Sequence, residues 1–265
     1  MSALGRLFPL APSVRFERLV ERNLLVYRRT WMVLFSGFFE PLFYLLGIGF
    51  GIGALVGPVS GPGGHVIPYQ VFVAPALLAS SAMNGAIYDS TTNVFFKLKY
   101  AHTYDAILTT PMGVADVAVG EIAWALIRGT LYAAGFMAVM LALGLVRSPA
   151  WLLAFPGSVL IGFAFASVGM ALSTWVRSWA DFDRLQLVLL PMFLFSATFY
   201  PMSAYPPALQ VLVALTPLYH GVDLLRGLTT GTIGIAQAVD VVYLVVMGLI
   251  GLAVVSRRLD RLLLR

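Results

Sequence analysis

Six apolar runs, with nearly all basic residues gathered on one side of them, constrain this chain more than any motif does. The runs are Trp31 to Val56, Ile67 to Tyr88, Val117 to Leu145, Trp151 to Val176, Leu185 to Tyr200 and Val239 to Val255, the fifth being the weakest. A helix of about 20 apolar residues crosses a hydrocarbon core of ~30 Å. Before the first run lie Arg6, Arg15, Arg18, Arg22, Arg28 and Arg29, and after the second Lys97 and Lys99. After the fourth come Arg177 and Arg184, and after the sixth Arg257, Arg258, Arg261 and Arg265. Only Arg147 and Arg226 fall on the other side, and Arg128 lies within a run. Excess Lys and Arg mark the cytoplasmic side, so both termini are predicted inside.

Charged residues make up 11% of the chain, too few to coat a soluble domain of 265 residues. One membrane domain, residues 1–265, is therefore expected. The net charge of +5 reflects the inside bias and attraction to anionic headgroups rather than nucleic acid. The absence of cysteine removes disulfide and thiolate chemistry. Met1 to Pro12 is too short and too broken by proline to read as a cleavable signal.

Several chemistries are missing. There is no G-x-x-x-x-G-K-[ST], since Lys97 and Lys99 follow Phe96 and Leu98, so no ATP hydrolysis is expected from this chain alone. His65, His102 and His220 are scattered, which excludes an H-E-x-x-H zinc site, and no G-x-S-x-G elbow occurs. No catalytic, metal or cofactor-binding residue is assigned.

Three segments outside the runs carry structure. Over 13–29, Phe16, Leu19, Val20, Asn23 and Tyr27 recur at helical steps, with Arg15, Arg18, Arg22 and Arg29 opposite, predicting an amphipathic helix in the headgroup plane. It serves as an anchor or as a rest for a cytoplasmic partner. Over 93–111, Phe96, Tyr100, Tyr104, Ile107 and Leu108 share one flank of a short helix, with Lys97, Lys99, His102 and Asp105 mostly elsewhere, until Pro111 disfavours continuation. Exposed aromatics there require a partner or the bilayer surface. Over 203–234, Pro206, Pro207 and Pro217, with Pro201 just before, interrupt apolar sequence that also holds Asp223 and Arg226. Two short helices, Ala208 to Leu215 and Tyr219 to Leu228, dipping into the outer leaflet fit better than a span, as a cap or as an outer gate.

Within the runs, Glu40 lies nine residues past Trp31, so about 14 Å deeper at 1.5 Å per residue. Arg128 is about as far past Gly120, which makes a Glu40–Arg128 pair geometrically possible. A charge near the bilayer centre costs ~2.5–3.5 kcal/mol on the insertion scale, so each is either paired or functional. Small-residue stripes at Gly47, Gly49, Gly51 and Gly53, and at Ala125, Gly129 and Ala133, allow close helix approach. Phe35, Phe38, Phe39, Phe43 and Tyr44, with Phe193, Phe195 and Phe199, are candidates to line a path for amphipathic cargo.

Ala197-Thr198-Phe199-Tyr200-Pro201-Met202, Tyr205-Pro206-Pro207, Leu215-Thr216-Pro217-Leu218-Tyr219-His220 and Leu224-Leu225-Arg226-Gly227 together resemble the signature of type-2 ABC exporter permeases, in the nodulation-lipooligosaccharide and daunorubicin-exporter branch. Tyr104 to Pro111 with Gly120-Glu121-Ile122, and Arg29 to Trp31 with Glu40-Pro41, extend the similarity along nearly the whole chain. The resemblance implies an all-α membrane protein with six transmembrane helices, an N-terminal interfacial helix, a cytoplasmic coupling helix and short re-entrant helices before the sixth span. It implies a dimer with a second copy or a related permease, and a separate ATP-binding-cassette ATPase that carries ATP and Mg. On that pattern Tyr100, Tyr104, Asp105, Ile107, Leu108 and Pro111 couple to the ATPase, and Arg15, Phe16, Arg18, Leu19 and Arg22 belong to the interfacial helix. Glu40, Arg128, Phe39, Phe195 and Phe199 border the path, and Pro201, Pro217, His220 and Arg226 form an external gate. The implied activity is outward movement of a lipid-linked glycan, glycolipid or hydrophobic drug across a bacterial-type inner membrane. The rival reading from the residues is an ion- or proton-coupled secondary transporter using Glu40 and Arg128.

Overall fold

The computed structural model describes residues 15–28 and 39–263. The sequence expectations at Met1 to Pro12, Ser13, Arg29, Trp31, Phe35 and Phe38 lie outside the described residues. Helix α1 is Phe16–Arg28 and α2 is Phe39–Val56. A two-residue hairpin follows, β1 Val59–Ser60 pairing antiparallel with β2 Val66–Ile67. Then come α3 Tyr69–Lys99, α4 Thr103–Leu108, α5 Val114–Ala142, α6 Pro149–Ser173 and α7 Ala180–Leu194. The last three are α8 Pro207–Leu215, α9 Pro217–Thr230 and α10 Ile235–Leu263.

Among the described residues five helices, α2, α3, α5, α6 and α10, are long and apolar enough to cross a membrane. The fifth predicted span differs from its expectation. Its helix stops at Leu194 after 15 residues, about 22 Å at 1.5 Å each, short of a ~30 Å core. The remainder is unwound, with Ala197 in the left-handed region at φ 54°. Pro191 starts the disruption, because its ring cannot donate to the preceding turn. Even so, the segment runs from one end of the bundle to the other. The Phe182 ring lies 5.3 Å from Phe95 near the end of α3, and the Phe199 carbonyl accepts from Tyr69 Oη at 2.9 Å near its start.

Unwound backbone inside a bilayer needs internal partners. Here side chains supply them: Ser196 Oγ donates to Met192 O, Thr198 Oγ1 to Phe193 O at 2.8 Å, and Arg226 Nη2 to Ala197 O at 2.8 Å.

The pair α8 and α9 bends by 88° at Thr216. Pro217 opens α9 at a position where its missing N–H costs nothing, and Gly231 closes it at φ 88°, its N–H donating to Gly227 O. Both arms reach the same end of the bundle: Arg147 N, in the turn after α5, donates to Thr229 O of α9 at 3.0 Å, and the Tyr205 ring, just before α8, packs 5.2 Å from Tyr200, next to the residue whose carbonyl Tyr69 holds. The bend itself is deeper. Tyr243, eight residues (about 12 Å) into α10, donates to Leu215 O at 3.0 Å.

Helix α3 is the hub, buried along nearly all of its apolar stretch against α5, α6 and α9. Small residues set the closest approaches. A Cβ at Gly251 of α10 would meet the Ser167–Val168 backbone of α6 at 2.8 Å. The Ala125, Gly129 and Ala133 stripe packs internally, Gly129 lying against the Ala82 carbonyl of α3. By contrast a Cβ at Gly47 of α2 would meet nothing within 4 Å among the described residues. Among the described residues, helices α2 and α7 are sparsely covered: Phe43 is 65% exposed, Leu187 is 75% exposed, and no residue of α7 is buried.

Candidate functional site

A stripe on α1 builds the first part of the site. Leu19, Asn23 and Tyr27, four residues apart, lie on one face and meet α5. Gly120 admits Leu19, since a Cβ there would come within 2.7 Å of it. Tyr27 meets Trp124, ring centroids 5.1 Å apart. The expected headgroup-facing stripe therefore turns inward onto this chain's own helix. Leu24, Leu25 and Val26 are the apolar side chains left exposed, beside Arg18 and Arg22.

Polar atoms join three helices at this seam. Lys97 Nζ of α3 donates to both Glu121 oxygens of α5 at 2.8 Å and to Asn23 Oδ1 of α1 at 3.2 Å. Asn23 and Glu121 are 1% and 2% exposed. Seven residues along α5, Arg128 Nη1 meets Asp89 Oδ1 at 2.5 Å and Tyr27 Oη at 3.2 Å, while Nη2 donates to Tyr132 Oη at 2.6 Å. Asp89 opens a π-helical stretch, Asp89–Asn93, a wider turn often found at functional sites. Each of these four buried charges thus has an opposite partner, which offsets desolvation that would otherwise forbid it.

The Glu40–Arg128 pair is not formed. Arg128 is taken by Asp89, which is nearer in the packed bundle because α3 lies directly against α5. Glu40 is exposed, with no salt bridge among the described residues. Both nevertheless border one cavity of about 500 Å³ between α2, α3, α5 and α7, with Asn84, Thr92, Phe182 and Gln186. Of the expected path aromatics, Phe39 stacks on Phe43, Phe195 is half-exposed, and Phe199 is buried against Phe193; none lines this cavity.

Residues 93–111 do not form one helix. Helix α3 continues to Lys99, the chain turns at His102 in the left-handed region, and α4 begins anew. Tyr104, expected on the exposed aromatic flank, is instead wholly buried, beneath α4 rather than projecting from it. Burial, then the adjacent Glu121 carboxylate, pushes its hydroxyl well above the usual tyrosine range. Ile107 and Leu108 are half-buried against the core. The outward face is Asp105, Ala106, Thr109, Thr110 and Pro111, with Tyr100 exposed in a cluster of rings with Phe95 and Trp179. Arg15, just before α1, donates to the Pro111 carbonyl, and Asn23 of α1 accepts from Lys97, so this N-terminal segment grips residues 93–111 near both ends.

At the opposite end, the expected gate residues are tightly held. Arg226 is 4% exposed, its Nε donating to Phe72 O at 3.1 Å and its guanidinium lying 3.8 Å from the Phe72 ring centre. His220 Nδ1 meets Asp240 Oδ1 of α10 at 2.7 Å and stacks on Tyr243. Pro201 and Arg226 border a pocket of about 280 Å³. Arg226 fixes an unwound segment and is not a free gate charge.

A bundle of long apolar helices with charged seams sealed inside it is the architecture of a polytopic membrane protein. The chain belongs to the ABC-2 type transporter family, whose model matches residues 14–229. It is thus a membrane permease of that family. Nodulation protein J of Rhizobium leguminosarum bv. viciae is 33% identical over 246 residues, covering 91% of this chain and 93% of that protein. Nodulation protein J of Sinorhizobium fredii is 34% identical over 210 residues, 76% and 78% of the two chains. The inner membrane transport permease YadH of Escherichia coli is 23% identical over 172 residues, 64% and 66% of the two chains.

Proposed function

We propose that this permease exports an amphipathic cargo, a lipid-linked glycan, glycolipid or hydrophobic drug, using ATP hydrolysed by a separate ATP-binding-cassette subunit. The chain itself is not an enzyme, and ATP and Mg reside in the partner. The observation that carries this reading is the seat of α4. The short helix presents Asp105 and Ala106 outward and rests through Tyr104 beside Glu121, in a buried charged node shared by α1, α3 and α5. A push on α4 therefore reaches three helices at once, including two, α3 and α5, that line the cavity.

On this reading α1 is the interfacial helix, with Leu24, Leu25 and Val26 in the headgroup region. Both termini are cytoplasmic in a bacterial-type inner membrane, and 203–234 lies outside. The bare faces of α2 and α7 are covered by a second permease copy or a related chain. The cavity between α2, α3, α5 and α7 is the cargo's inner station, and the α8–α9 elbow with the unwound 195–199 segment closes the outer end.

The test is co-reconstitution with the ATPase. An Asp105→Lys, Ala106→Arg double variant changes only exposed positions, so insertion and melting temperature are expected to stay unchanged. ATP-driven transport is expected to fall at least about tenfold, the equivalent of ~1.4 kcal/mol of coupling. Transport by this chain alone down a proton gradient, stopped by Glu40→Gln, would support the secondary-transporter reading instead.

A further inference from the structure

We propose that the cavity between α2, α3, α5 and α7 holds the polar end of a cationic amphiphile, with the Glu40 carboxylate selecting for positive charge. The inference rests on the reading of this cavity as the cargo station and adds the chemistry of what it takes.

Charge balance is the first argument. Arg128 contributes no net charge to the wall, because Asp89 meets it at 2.5 Å. Glu40 borders the same space, is exposed, and has no cation among the described residues. The other polar lining groups, Ser81, Asn84, Thr91, Thr92 and Gln186, are neutral. Among the described residues the cavity wall thus carries one uncompensated negative charge, which favours a cationic group beside it.

The lining suits a cation with hydrogen-bonding groups beside it. Phe182 and Tyr88, the latter 59% exposed, offer ring faces of the kind that attract ammonium groups. Asn84, Thr92 and Gln186 supply hydrogen-bonding groups on the same wall.

Size and surroundings account for the amphiphile. A volume of about 500 Å³ falls in the range that takes a drug-sized ligand, room for a head group and the start of its tail. The tail has an apolar path beside it, because α2 and α7 flank the cavity and leave Phe43, Leu187 and Val188 more than half exposed.

The absence of cysteine allows a direct test. With Gln186→Cys as the only thiol, the full chain in phosphatidylcholine nanodiscs is labelled with a maleimide in the presence of decyltrimethylammonium, decyl glucoside or decyl sulfate. The ammonium probe is expected to protect at a concentration at least tenfold below the sulfate, with the glucoside between. In Glu40→Gln the gap is expected to shrink to within threefold, while Glu40→Asp retains it. Asn84→Asp, which adds a second carboxylate to the wall, is expected to widen it and serves should Glu40→Gln fail to fold. Equal protection by the sulfate, a gap unchanged in Glu40→Gln, or no protection by any probe would overturn the proposal. The assay needs no ATPase. Loss of charge preference with ATP-driven export intact removes only the cation site, and the reverse result removes only the ATP-driven reading.

Discussion

Glu121→Ala is expected to destabilise the permease by about 3–5 kcal/mol, the range for stranding one member of a buried ion pair. Lys97 would remain almost fully buried with only the amide oxygen of Asn23 as partner. In a chain of this size that corresponds to a fall in melting temperature on the order of 10 °C in nanodiscs. The informative comparison is Lys97→Met with Glu121→Leu. Apolar replacement of both partners removes the desolvation cost along with the attraction, so the melting point is expected to return to within about 3 °C of the parent. ATP-driven transport should not return, because the link from α3 to α1 through Asn23 has gone. A double variant that melts and transports normally would show the node to be dispensable. A single variant that melts normally would show the pair to be solvated.

Arg226→Met is expected to be nearly as damaging, at the other end. The guanidinium satisfies the Ala197 and Phe72 carbonyls, both inside the bundle. The Ala197 carbonyl would be stranded at a cost of ~1–3 kcal/mol, whereas Phe72 O keeps its helical donor within α3. Ala197 already occupies the left-handed region, a strained conformation for a residue with a Cβ, and the arginine is one of the contacts that hold it there. Melting should fall by roughly 5–10 °C, with hydrogen exchange rising selectively over 195–201. Arg226→Lys should recover less than half of the loss, because one ammonium cannot present the two separately directed donors that reach α3 and the unwound turn. Unchanged exchange over 195–201 in Arg226→Met would contradict this role.

Much of this architecture is legible in residue order, and the failures have definite causes. Hydropathy locates the membrane helices because a bilayer demands long apolar runs. Prolines at 206, 207 and 217 mark the bent α8–α9 pair because each can begin a helix but not continue one. Apolar composition carries the fifth span through Tyr200 because it does not register unwinding, and the unwound backbone is satisfied by Arg226, dozens of residues away. Helical periodicity turns Tyr104 outward because it is carried across Tyr100 to His102, where the chain changes direction. A helix wheel loses its phase at such a turn.

The ion pairs are hidden for a related reason. Asp89 stands at the end of an apolar run and reads as a boundary, while Lys97 reads as loop. Only the packing of α3 on α5 shows that Asp89 matches Arg128 and Lys97 matches Glu121. A sequence signal does exist. The separations Asp89 to Lys97 and Glu121 to Arg128 are eight and seven residues, two helical turns each, as antiparallel partners require.

On the proposed function, work enters through α4 from a second polypeptide. The most direct measurement uses the single substitution Asp105→Cys in this cysteine-free chain and treats native membranes with a short bifunctional maleimide reagent, reading the adducts by mass spectrometry. The expected adduct joins position 105 to a subunit carrying G-x-x-x-x-G-K-[ST], formed from the cytoplasmic side only. Reaction of the introduced thiol with an impermeant maleimide in intact cells, with no such adduct, would contradict it.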